Sequence, residues 1–310
     1  MRWMPVFALV LISLPAWAQQ TYFNSKDVGN ARLFEYKWRD PDGDHALRFG
    51  LSLADIAQAE SEFQPFDNTA AQTVAFNAVQ SKAKTLSVPN GAEVEVARKI
   101  GGYDIRARGV EAPQMQQIAD NLKVVRDQAL EDYVASRFYS RIDDTHIMPD
   151  HRRIAKRYVP AMAPVAQAMS AALGPNADQR ATINYVMHFL QSIPYDQLEN
   201  RYTSNGAGFE TPYTILSGNK GDCDSKSVAL AATLRAMFPT LKLTMVYVPE
   251  HAFVGIGLPQ GSADYALRLG GDVFVLADPT GPDFMNLGEV AGRALDALNN
   301  GKFSYQEIPF

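Results

Sequence analysis

The chain has 310 residues, is 46% hydrophobic and 20% charged, and carries a formal net charge of −5 at pH 7. That length admits one large or two ordinary domains, and the composition is that of a globular chain able to bury a core. So mild a charge leaves no electrostatic footprint for nucleic acid or for an anionic membrane surface, and partners of those kinds are not expected.

The first residues start positive at Arg2, continue through the short apolar stretch "PVFALVLISLPAWA", and reach small residues at Ala16 and Ala18. This is the pattern of a secretory signal peptide over residues 1–18, with cleavage expected after Ala18 and Gln19 as the mature N-terminus. The stretch is short for a bilayer span, and no later segment is long and apolar enough to cross one. An exported protein is therefore expected, periplasmic or otherwise, with no transmembrane anchor once the signal is removed.

After the signal, "ARLFEYKWR" and "HALRFGLSL" alternate apolar and polar residues about the turn cluster "DPDGD", which predicts a hairpin. Asp40, Asp42 and Asp44 also suggest a calcium loop. The glycine is misplaced for an EF-hand, however, and the twelfth position from Asp40 is Leu51 rather than Glu, so a plain turn is expected. "DIAQAESEF" and "AAQTVAFNAVQSKAKTL" read as helices. "AEVEVARKI" and "YDIRARG" read as a second hairpin through Gly101-Gly102. "APQMQQIADNLKVVRDQALEDYVASRFY" reads as a long amphipathic helix with Pro113 in its first turn.

The segment "SRIDDTHIMPDHRRIAKRYVP" is polar and mixed in charge, and reads as a connection. Its Asp143, Asp144, His146, Asp150 and His151 are metal-ligand types without a regular ligand spacing, so a solvated loop and helix start are expected, with no metal. "PVAQAMSAAL" is a helix that stops at Gly174-Pro175. "ADQRATINYVMHFLQSI" follows with Ile183, Val186, Leu190 and Ile193 on one stripe. His188 lies off that stripe and is expected to be partly exposed and non-catalytic. Pro194 ends the helix. The apolar helix beginning at "GDCDSKSVALAATLRAMFP" ends at Pro239. Four β-type runs, "LKLTMVYV", "HAFVGIGL", "YALRL" and "DVFVLA", come after it, so one apolar helix packed on an antiparallel sheet is expected.

Cys223 is the only cysteine, which rules out an intramolecular disulfide or a thiolate zinc cage in an exported chain. A thiol attacks carbonyls as the thiolate, and Asp222 and Asp224 oppose that by charge. The helix start favours it, because unpaired N–H groups and the dipole stabilise an anion there and can receive an oxyanion. Asp222 is suited to the N-cap. His251 opens a strand and is the candidate acid–base partner. Asp278 ends a later strand in "LADPTGP" and is the candidate orienting carboxylate. The three are 28 and 27 residues apart, with room for one or two elements between each pair. Tyr195, in "IPYDQ", is a candidate second oxyanion donor.

"GDCDSKSVALAATLRA", "EHAFVGIGL" and "LADPTGP" resemble the three core motifs of the transglutaminase-like superfamily, in the order that family uses. "TPYTILSGNKGDC" is similar to its approach loop and "FLQSIPYDQ" to the helix end before it. The likeness covers roughly residues 178 to 285. Ala252 departs from the bulky aromatic that many relatives carry after the histidine. The resemblance implies a papain-like α+β core, with a central helix carrying the cysteine at its N-terminus on an antiparallel sheet. It also implies Cys223 as nucleophile, His251 as base then acid, and Asp278 as orienter.

The resulting expectation is a signal peptide over residues 1–18 and a smaller N-terminal α+β domain over 19–140. A helical connection over 141–177 and a transglutaminase-like catalytic domain over 178–310 complete it. The expected activity is thiol acyl transfer through a thioester, as a cysteine peptidase or amidase on a protein or peptide of the cell envelope, with no cofactor. Transglutaminase-type cross-linking and a non-catalytic binding or assembly module on the same fold are the alternatives. The N-terminal domain is available for a protein partner.

Overall fold

A computed structural model describes residues 19–99, 102–143, 146–200, 202, 204 and 206–310. The expected signal peptide, Gly101 of the expected turn and Asp144 lie outside the described residues.

Strict alternation builds the first sheet. β1 (Gln19–Val28), β2 (Ala31–Asp40) and β3 (Gly43–Ser52) pair antiparallel in that order. Phe34, Tyr36 and Trp38 of β2 point inward together with Leu47, Phe49 and Leu51 of β3, and all six are buried. The β2–β3 hairpin is the one expected from the sequence. β1 is mostly polar and exposed, so it carried no alternation to read.

α1 (Leu53–Glu62) and α2 (Asn68–Ala83) begin at Ser52 and Asp67, whose side chains accept N–H groups of their first turns. β4 (Glu93–Lys99) and β5 (Gly102–Arg108) form the second hairpin. α3 (Ala112–Ser136) is the long helix with Pro113 in its first turn. Val79, Val96, Ile118 and Leu122 make a small separate core among α2, the hairpin and α3.

The connection is structured. β6 (Tyr139–Arg141) pairs with β7 (Ile147–Pro149), and α4 (His151–Tyr158) follows at once with Asp150 as its N-cap. The expected solvated start of α4 is corrected at His151, which is 2% exposed. α5 (Ala163–Leu173), α6 (Gln179–Ser192) and the short α7 (Pro212–Gly218) lead to α8 (Cys223–Met237). β8 (Leu243–Val248), β9 (His251–Gly257), β10 (Ala266–Leu269) and β11 (Asp272–Ala277) come next, then α9 (Gly292–Asn299) and β12 (Ser304–Ile308). They form an antiparallel sheet ordered β10-β11-β9-β8-β12. α9 and the edge strand β12 were not legible in the sequence.

The architecture is mixed α+β. α8 is apolar on every side because it is covered on every side: Val228, Ala229, Leu230, Ala231, Ala232 and Leu234 are all at most 1% exposed. One core cluster runs from Phe34 in β2 to Ile308 in β12, taking residues from both sides of position 140. α6 sits between the first sheet and α8, which explains a second correction. His188 is 2% exposed rather than partly exposed, because positions off the apolar stripe of α6 face the β2–β3 sheet instead of water. Among the described residues no helix is long and apolar enough to cross a membrane.

After β11 the chain turns back across α6. Gly281 has φ +68, and a Cβ there would lie 2.3 Å from the Gln191 carbonyl oxygen. Both the left-handed backbone and the close approach demand glycine. Gly281→Ala is expected to lower stability by about 2 kcal/mol or more in a denaturant titration, with the loss felt first in the turn that follows Asp278.

Candidate active site

The expected residues meet where α8 begins. Asp222 is the N-cap, extended in backbone, and its carboxyl accepts the Ser225 N–H at 3.1 Å. Cys223 is therefore the first helical residue. Its N–H and that of Asp224 have no partner within the helix, so they and the dipole face whatever lies at the sulfur.

The approach to this turn is stitched to the end of α6. The Gly221 N–H donates to Pro194 O, and the Asp196 N–H donates to Gly221 O, each at 3.2 Å. Tyr195 and Gly221 thereby form a single parallel bridge. Tyr195 is 50% exposed at the mouth of the site, and burial together with the nearby Cys223 raises the pKa of its phenol. A second tie comes from β1, where Gln20 and Asn219 exchange amide hydrogen bonds of 2.8 and 2.7 Å. Asn219 is the left-handed cap of α7, four residues before the cysteine.

His251 opens β9 after a two-residue turn, Pro249-Glu250, in which Glu250 takes φ 61. Its Nε2 lies 2.7 Å from Asp278 Oδ2, and Cys223 lies near enough to the ring to act on its charge. Burial acts to lower the imidazole pKa. The hydrogen bonds and charges of Asp278 and Cys223 outweigh it and push the pKa up to about 10. The pair is thus poised as an imidazolium facing sulfur. Ser227 Oγ donates to Ala252 O at 3.2 Å, fixing the first residues of β9 against α8.

Asp278 follows the last residue of β11 and is 1% exposed. Its Oδ1 accepts the Thr280 N–H at 3.0 Å. Gln191 Nε2, from α6, donates to the Asp278 carbonyl at 2.7 Å and to Met285 O at 2.9 Å. The carboxylate is held by its own turn and by a helix behind it.

Three supporting residues escaped the sequence reading. Lys226 lies one turn beyond Cys223 with no exposed surface, and its Nζ donates to Ile193 O and Thr280 O, both at 2.6 Å. Burial drives its pKa down to about 7, against the pull of Asp278, Asp222 and Cys223. Its signal was a cation in the first turn of a mostly apolar helix. Gln191 gave no signal beyond lying near the end of α6. His151 stood among the metal-ligand types of the connecting segment; in the structure its Nε2 is 2.9 Å from Asp224 Oδ2.

Of the other acidic and histidine residues, Asp40, Asp42 and His188 offer ligand atoms within 4.8 Å of one another. Both Asp40 oxygens and both His188 nitrogens are engaged by protein groups. Asp40 pairs with His45 at 2.8 Å and His188 at 3.0 Å, and His188 reaches Asn286 at 3.2 Å. The cluster is a hydrogen-bonded joint between the first hairpin, α6 and the loop after Asp278. The expected turn at Asp40 is present between β2 and β3, and its first carboxylate is buried.

Comparison with known proteins finds no matching family model, no matching curated protein and no matching solved structure. The chemistry of this chain is thus read from its own geometry: a thiol at a helix N-terminus, an imidazole near it and a buried carboxylate bonded to the imidazole.

Two outcomes are expected at the site. Asp278→Asn removes the largest influence raising the imidazole pKa, so the His251 midpoint in an NMR titration should fall from about 10 by more than one unit. Lys226 has a folded pKa below its unfolded value, so it holds fewer protons in the folded state above about pH 7 and its contribution to stability grows with rising pH. The stability gap between the wild type and Lys226→Met should widen from pH 7 to pH 9.5 in chemical denaturation.

Proposed function

We propose that the chain is an exported thiol acyl-transfer enzyme, a cysteine peptidase or amidase of transglutaminase-like, papain-like type. The observation that carries this reading is the convergence of Cys223, His251 and Asp278, with a 2.7 Å His251–Asp278 bond and the thiol close enough to the imidazole to act on its charge. The packing of a cysteine-led helix on an antiparallel sheet supports the family resemblance of the three motifs. Export rests on the N-terminal sequence pattern.

In this reading the Cys223 thiolate adds to the carbonyl carbon of an amide, and the C=O electrons move to oxygen. The N–H groups at the start of α8 receive that oxyanion, with Tyr195 at the mouth as a further candidate donor. His251 gives its proton to the leaving amine as the C–N bond breaks, and the acyl group remains on sulfur as a thioester. Water then adds to the thioester while His251 takes its proton. The thiolate departs, the acid forms, and the imidazolium–thiolate pair is restored. Asp278 keeps the ring oriented and compensates its charge throughout.

Water is favoured over an amine as acyl acceptor because the site is open: Tyr195 is half exposed and the His251 side chain is 22% exposed. The substrate class is a protein or peptide of the cell envelope.

Cys223→Ala should abolish both hydrolysis of peptide amides and labelling by a thiol-reactive peptide probe, while Tm stays within about 3 °C of the wild type. Mass mapping should place the wild-type label on Cys223. Turnover retained in the alanine variant would end the assignment.

A further inference from the structure

Two carboxyl groups flank the nucleophile, and by charge alone both oppose a thiolate. Each is compensated in a different way. Burial, and then Asp224 beside it, hold the Asp222 carboxyl well above the usual carboxylate range, so it keeps its proton at neutral pH and serves as a neutral N-cap. Burial also acts against ionisation of Asp224, but the contact and charge of His151, with the hydrogen bond from Asp222, leave it below the usual range.

His151 comes from α4, outside the three sequence motifs, and its ring lies between those of Phe209 and Tyr247, with centroids at 5.2 and 5.6 Å. Its Nδ1 is 2.9 Å from the Tyr247 hydroxyl, which lies 3.3 Å from Gln306 Oε1 and donates to it. With the phenol hydrogen committed to Gln306, Nδ1 must itself donate. Nε2 faces the Asp224 carboxylate at 2.9 Å in a close contact rather than an aligned hydrogen bond. The other charged or titratable groups about this network are Asp150 and Arg152 at the start of α4, Tyr195 after α6, and Cys223, Asp222 and Lys226 on α8.

We propose that His151 is a positioning residue for the nucleophile: its ring, 2.9 Å from the Asp224 carboxylate, holds that carboxylate engaged, so the first turn of α8 meets the sulfur without a free carboxylate beside it. The helix N-terminus can then favour the thiolate. Removing the His151 ring leaves Asp224 without that contact next to Cys223. This inference rests on the reading of Cys223 as an activated thiol.

The test is the rate of iodoacetamide alkylation against pH on the full chain, which reports one thiol because the chain has one cysteine. The wild-type midpoint is expected well below the ~8.5 of a free thiol. His151→Gln should raise it by about one unit, seen as roughly tenfold slower alkylation on the acid side. Asp224→Asn should not raise it, and the double variant should return it to near the wild-type value, a rescue that a purely structural role for His151 would not give. An unmoved midpoint in His151→Gln, or a double variant that stays with the single one, overturns the inference while the activated thiol stands. Should His151→Gln fail to fold, Asp224→Asn decides: an unraised midpoint supports the inference, and a raised one overturns it. A wild-type midpoint at the free-thiol value overturns the inference and the reading beneath it together.

Discussion

Burying the first turn of α8 requires every polar group there to find a partner, and the rest of the molecule is arranged to supply them. A helix start carries unpaired N–H groups, and this one adds two carboxyls, a thiol and an ammonium within a few residues. Lys226 is matched by two backbone carbonyls from separate segments, Ile193 and Thr280. Asp278 is matched by His251, by its own turn and, through its carbonyl, by Gln191. Asp224 is matched by His151. The partners come from α4, the end of α6, β9 and the turn after β11, so the site cannot form until all four have docked on α8.

The same dependence reaches the first hairpin. Asp40, His45, His188 and Asn286 join β2 and β3 to α6 and to the loop after Asp278. Tyr36 and Trp38 pack their rings on Phe189 in the same helix. The continuous core from Phe34 to Ile308 is the apolar counterpart of that joint. By contrast, α2, α3 and the β4–β5 hairpin bury a small cluster of their own, and none of the groups that hold Cys223, His251 or Asp278 comes from them.

The legible parts of this fold were those with strong local patterns. Alternation announced β2 and β3, apolar β-type runs announced β8, β9, β10 and β11, and Pro194, Pro239 and Gly174 marked where helices stop. The meeting of Cys223, His251 and Asp278 could be anticipated because each sits at the end of an element, where a short change of direction fixes a side chain. β1 and β12 were silent because edge strands need only one partner and bear polar residues on most positions. The true surroundings of His151 and His188 were hidden for a different reason. Burial by a distant element leaves no local periodicity, and a histidine beside charged residues reads as solvent-facing until its long-range carboxylate is placed. Lys226 shows the limit most clearly, since a lysine in an apolar helix looks like a surface position until two carbonyl oxygens are found at its tip.

The paired amides of Gln20 and Asn219 have a practical consequence for anyone handling this chain. β1 begins at Gln19, so whatever is attached ahead of it emerges beside the cap of α7 and the turn into Cys223. An affinity tag or fluorophore at that end shares the solvent around the thiol. The choice of where to fuse a label is therefore itself an intervention beside Cys223.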